Sequence, residues 1–113
     1  MGIHYDQQRQ IFSLQTPTST YLMGLGDEGR YLGHIHYGKK IQGFDGAYLL
    51  RTGEQPLTPS VNKREKASFM DTFPMEYSFT GTGDYRESCF TVLSNGGFRT
   101  TELIYDSHEI LPF

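Results

Sequence analysis

The sequence predicts an all-β fold: a β-sandwich of antiparallel strands joined by long loops. Three observations carry this expectation. Aromatic rings are frequent, with eight Tyr and eight Phe, and they suit the pleated, half-buried surface of a sheet. Thirteen glycines and five prolines are scattered between short apolar runs, as turn residues are between strands. No stretch repeats apolar residues at helical spacing between caps. The 113 residues make one domain, or a piece of one.

The elements follow in order. Residues 3–6 read as a short strand, and the polar run 6–10 as a turn. Residues 11–15 put Phe12 and Leu14 on one face, and Thr16, Pro17 and Thr18 break that strand. Residues 19–25 form the next strand, with Tyr21 and Met23 on one face, and residues 26–29 make a tight hairpin loop. Residues 30–41 are the longest strand, and strict alternation puts Tyr31, Gly33, Ile35 and Tyr37 on one face and Leu32, His34 and His36 on the other. From residue 42 to 67 the pattern decays into loop, apart from Tyr48, Leu49 and Leu50. A connection this long inside a compact domain is usually functional or disordered. Residues 71–86 join the two strand-rich halves; Pro74 forbids a central strand there. Residues 87–93 and 98–106 read as a hairpin around Asn95, Gly96 and Gly97, and residues 108–111 as a last short strand. The count is six to eight strands.

Composition removes several function classes. A net charge of −3 and a pI near 5.7 argue against a nucleic-acid binder, which needs a basic face. Lys63, Arg64 and Lys66 are interrupted by Glu65 and read as a solvated loop. The single cysteine, Cys89, has no partner for an internal disulfide or a zinc site. Beside Phe90 and Val92 it reads as a buried structural thiol. No apolar run approaches membrane-spanning length, and the N-terminus lacks the pattern of a signal peptide. The expectation is a soluble, cytoplasmic setting.

His34 and His36, two apart on a strand, are the most metal-like feature. The jelly-roll metal pattern of the cupins wants a Gly six before the first His and an acid four or five after the second. Glu28, Lys40 and Ile41 stand there instead. Packed or hydrogen-bonded imidazoles are therefore expected, and no metal or cofactor. Gly24-x-Gly26 and Gly81-x-Gly83 precede no helix, which argues against a phosphate cradle. Glu54, Glu76, Asp84 and Glu109 supply carboxylates, but nothing places two across a cleft as a glycosidase requires. Asp84 and Arg86 share a face on extended backbone and read as a structural pair. These residues alone reach a β-sandwich that binds sugar or accompanies an enzyme; a metal-dependent jelly roll on His34 and His36 is a further alternative.

The order of several segments adds more. Tyr31-Leu32-Gly33-His34-Ile35-His36-Tyr37-Gly38-Lys39 is followed by Thr58-Pro59-Ser60. Then come Ser68-Phe69-Met70-Asp71-Thr72-Phe73-Pro74-Met75-Glu76-Tyr77 and Gly81-Thr82-Gly83-Asp84-Tyr85-Arg86. The series resembles the opening of the melibiase-type bacterial α-galactosidases, glycoside hydrolase family thirty-six, from about Tyr5 to Ile110.

The resemblance implies that residues 1–113 are the start of an N-terminal β-supersandwich, ahead of a catalytic (β/α)8 barrel and a small C-terminal β domain. The family's catalytic Asp pair lies in the barrel, so the segment alone is expected to be inactive. Family enzymes are commonly tetramers in which a loop of this domain holds the galactose of a neighbouring subunit. Alignment puts Glu54 where the family has that Asp, and Lys66 where it often has Arg; both are candidate substrate-binding residues. Tyr37 stands where the family has Trp, with core packing expected. The expected partners are a galactoside, shared with a neighbouring subunit, and further copies of the chain. The alternative is a stand-alone carbohydrate-binding or structural β module without hydrolase activity.

Overall fold

The computed structural model describes residues 2–26, 28–42, 46–50, 73–80 and 86–112. It is all-β and sandwich-type, as expected. Four antiparallel strands form one sheet in the order β1 (Gly2–Asp6), β2 (Ile11–Gln15), β3 (Ser19–Gly26) and β4 (Tyr31–Lys39). One turn of 3-10 helix, Ala47–Leu49, follows. None of the described elements is a helix long and apolar enough to cross a membrane.

Local chemistry sets the turns. Asp6 Oδ1 accepts from the backbone N–H groups of Gln8 (3.0 Å) and Arg9 (3.1 Å), which folds the chain from β1 into β2. Thr16 Oγ1 does the same for Ser19 N–H at 2.9 Å before β3. Between β3 and β4, Glu28 and Gly29 take positive φ (59° and 80°), and Arg30 N–H closes on Gly26 O at 3.0 Å.

The β3–β4 register shifts between Leu22 and Met23: Leu22 pairs with His36 and Met23 with His34, leaving Ile35 as the extra residue. Directly paired residues share a face, and Leu22 and Met23 point to opposite faces. His34 and His36 therefore lie on opposite faces, contrary to strict alternation. A bulge inserts one residue and reverses the alternation beyond it.

The core sits on the Leu22 face. Tyr31, Phe73 and Phe79 are fully buried there, with Leu50, Met75 and Leu103 packed against them. Thr20, also fully buried, donates to Gln15 Oε1 (2.7 Å) and accepts from Ile41 N–H (3.1 Å), which ties the end of β4 to β2 and β3. On the other face Phe12 is covered by Tyr5 (ring centroids 4.5 Å) and by His108 (4.8 Å), so the C-terminal segment folds back onto the first hairpin.

Residues 86–112 depart from expectation. Among the described residues they form no ladder. A parallel bridge joins Phe79 to Phe90, Thr101 N–H donates to Thr80 O (2.8 Å), and Tyr105 N–H to Arg30 O (2.7 Å). The Asn95–Gly96–Gly97 turn does form, with Gly97 at φ 82° and Ser94 and Phe98 paired across it. Alternating sequence provides a strand's faces, but a strand also needs a neighbour for its N–H and C=O groups. Cys89 is exposed rather than buried. Its N–H is fixed to Ser78 O (3.1 Å), and the adjacent half-buried Phe90 bridges Phe79.

Candidate functional site

Glu54 and Lys66, the expected substrate-binding residues, lie outside the described residues, as do Asp84 and the cluster of Lys63, Arg64 and Lys66. Leu50 and Phe73, the described residues on either side of 51–72, both stand on the same patch of sheet.

Gly24 pairs with Gly33 across β3 and β4, and Gly26 lies two residues along on the same face. Three missing side chains leave a trough in the sheet. A Cβ placed on Gly33 would lie 2.5 Å from Leu50 Cδ2 and 3.0 Å from Phe73 Cε1 and Cζ. One placed on Gly26 would lie 2.6 Å from the Phe73 ring, and one on Gly24 would lie 3.0 Å from Leu50 Cδ1. Leu50 and Phe73 therefore fill the trough side by side. Burying a side chain of this size stabilises by about 1.5–3 kcal/mol.

The backbone after Phe73 runs along the outer edge of β4. His34 N–H donates to Pro74 O (2.7 Å), Glu76 N–H donates to Leu32 O (3.0 Å), and Met75 bridges Gly33. Alternation then sends Phe73 to the core face and Glu76 to the opposite one. There the Tyr21 hydroxyl donates to the Glu76 carboxylate, 2.5 Å from each oxygen, and His34 Nδ1 lies 2.9 Å from Glu76 Oε1. A carboxylate oxygen accepts, so this contact calls for the Nδ1–H tautomer of His34. Burial pushes the Tyr21 phenol up to about 12, helped by its hydrogen bond to Glu76 and by the negative charge there. A carboxylate committed to two donors and largely shielded (17% exposed) is a clamp for the 73–76 segment rather than a proton carrier.

Tyr37 continues this face, 5.6 Å from the Tyr21 ring. It is 70% exposed, not packed in the core as expected, because its strand position looks out from the sheet beyond the bulge. His36 Nε2 meets Lys39 O at 3.3 Å, on the other face from His34. A metal held jointly by the two imidazoles is therefore ruled out by the register. No group of three or more His, Cys, Asp or Glu among the described residues is placed to hold a metal. A second clamp joins the C-terminal segment to β4: Glu102 accepts from Arg30 Nη2 at 2.8 Å and from the buried Tyr31 hydroxyl, while the guanidinium lies 5.1 Å from the Tyr31 ring centroid.

Sequence reasoning missed both the trough and the clamp. The i, i+2 spacing of Gly24 and Gly26 did place them on one face, which was the available signal for the trough. No local signal places residue 76 beside residues 21 and 34.

Comparison with known proteins shows what the chain is similar to. The family model described as the glycosyl hydrolase family 36 N-terminal domain matches residues 30–113. The bifunctional alpha-galactosidase/sucrose kinase AgaSK of Mediterraneibacter gnavus is 31% identical over 97% of this chain. Among solved structures, the alpha-galactosidase AgaB of Geobacillus stearothermophilus superposes with a TM-score of 0.81 at 29% identity, over 96% of this chain and 14% of that one. A variant of AgaA from the same organism, solved with raffinose, gives a TM-score of 0.77 at 26% identity, over 88% and 14%. The chain spans 12% and 15% of the lengths of the two curated relatives it matches.

Proposed function

We propose a function from one premise: this chain belongs to the glycosyl hydrolase family 36 N-terminal domain. The protein that carries it is an α-galactosidase that hydrolyses terminal α-galactosides of the melibiose and raffinose type. The observation that supports this most is the family match over residues 30–113, together with a fold shared with AgaB over 96% of the chain. The raffinose bound in the AgaA variant suggests the substrate class.

In this reading the segment performs no catalysis alone; the two catalytic carboxylates of a retaining mechanism belong to another part of the protein. The loop between Leu50 and Phe73 reaches the active site of a neighbouring subunit in a cytoplasmic homo-oligomer. Glu54 accepts hydrogen bonds from galactose hydroxyls there, and Lys66 orients the loop. Carboxylates suit this role because they offer several lone pairs to a ring of hydroxyl donors.

The test is Glu54→Gln in the protein as its source makes it. Hydrogen bonds to a charged group contribute about 1.5–3 kcal/mol, so KM for raffinose should rise about tenfold or more with kcat little changed. An unaltered KM would remove Glu54 from the site.

A further inference from the structure

We infer that the cross-strand row of Leu14, Tyr21 and Tyr37, on the sheet face that carries Glu76, binds a short oligosaccharide of pyranose rings. The row is separate from the α-galactoside reading above and uses none of its residues.

The strand register builds the row. Ile3 pairs with Leu14, Leu14 with Tyr21, and Tyr21 with Tyr37. Directly paired residues share a face, so these side chains cross the whole sheet in one line. Successive strands lie about 4.8 Å apart, which gives the row a length of about 14 Å. The neighbouring row, Tyr5, Phe12, Met23 and His34, is covered. His108 packs on Tyr5 (ring centroids 4.3 Å) and on Phe12, and Glu76 holds His34. The first row lies beyond that cover, and its Tyr37 ring stands 70% exposed. Tyr21, 5.6 Å away and inclined at 51°, supports that ring from one side.

Polar groups edge the row on both sides. In the neutral ring of His34, Nδ1–H goes to Glu76 and Nε2 keeps a lone pair. Glu76, bonded also to Tyr21, fixes how that ring is turned. On the other side the exposed Lys39 pairs with Ser19, two residues past Tyr37 and on the same face, and offers an ammonium donor. Among the described residues, His34 Nε2, the Tyr37 hydroxyl and the Lys39 ammonium have no hydrogen-bonding partner. An aromatic floor between an acceptor and a donor selects the ligand. A pyranose lays its C–H bonds against the negative face of an aromatic ring. Its hydroxyls both donate and accept, as the two edges require. An apolar protein surface laid over the same row would bury the His34 lone pair and the Tyr37 hydroxyl without partners, which is unfavourable.

The experiment is titration calorimetry of the protein as its source makes it, with cellotriose and, separately, maltotriose. Neither sugar contains galactose, so an α-galactoside site elsewhere does not compete for them. At least one should bind saturably, once per chain. Tyr37→Ala should weaken that binding about tenfold or more, as the loss of a central aromatic contact does. Tyr37→Phe, which keeps the ring, should weaken it by less than about threefold, and Lys39→Met, which keeps the stem, by about threefold. Hydrolysis of raffinose should be unchanged in all of them. No saturable binding of either trisaccharide, or binding that Tyr37→Ala leaves unchanged, would overturn the inference. A lower melting temperature or a smaller assembly in Tyr37→Ala, with no sugar bound, would also overturn it and assign the row to a protein contact.

Discussion

Glu76 shows how one side chain organises a surface. It was visible in the sequence only as one of several carboxylates. In the structure it accepts from Tyr21 and His34, residues far from it in the chain, and holds the 73–76 segment to the sheet. A raised phenol has a defined consequence for stability. Unfolded Tyr21 ionises near 10.0 while the folded residue holds its proton to about 12. The folded chain thus retains a proton that the unfolded chain loses. The associated stability is fully present below pH 10.0 and is lost as pH rises toward about 12. Glu76→Gln removes the charge and weakens the hydrogen bond but not the burial. The Tyr21 midpoint, followed by phenolate absorbance, should therefore fall only part of the way toward the ordinary value. No movement at all would mean that burial alone sets it.

At the scale of elements, the sheet and its turns were legible and their later partners were not. Strands β2 and β3 begin where alternation and turn residues place them, since Asp6, Thr16 and Gly29 act through bonds to near neighbours. The β4 bulge was hidden because it exists only relative to β3; nothing within residues 31–39 marks Ile35 as extra. The C-terminal runs alternate like strands, yet Leu93 and Phe98 remain well exposed and no ladder forms among the described residues. Alternation records a preference for a pleated surface, not the presence of a partner. Phe73 is the opposite case, a residue in an irregular segment that is nonetheless fully buried. Its ring replaces the side chains that Gly26 and Gly33 lack. Phe73→Ala should cost about 3–5 kcal/mol in a urea titration, as other large buried truncations do. A loss below about 1 kcal/mol would mean that the trough collapses to fill the space.

At the scale of the whole molecule, the chain is a family 36 N-terminal segment that spans 12% and 15% of its curated relatives. The family was legible because several short segments occur in order, each of them weak alone. The site was less so. The expectation for Glu54 and Lys66 rests on that order, whereas the trough that seats Leu50 and Phe73 follows from three-dimensional packing. Leu50, Phe73 and Glu76 are fixed on one sheet, with residues 50 and 73 side by side on the glycine trough. The most direct test is immunoprecipitation from source cells with an antibody to this segment, followed by mass determination and an assay with a chromogenic α-galactoside. The account predicts a polypeptide several times the 12.9 kDa of this chain, with α-galactosidase activity retained in the precipitate. A product of 12.9 kDa without activity would contradict it and leave a free β module.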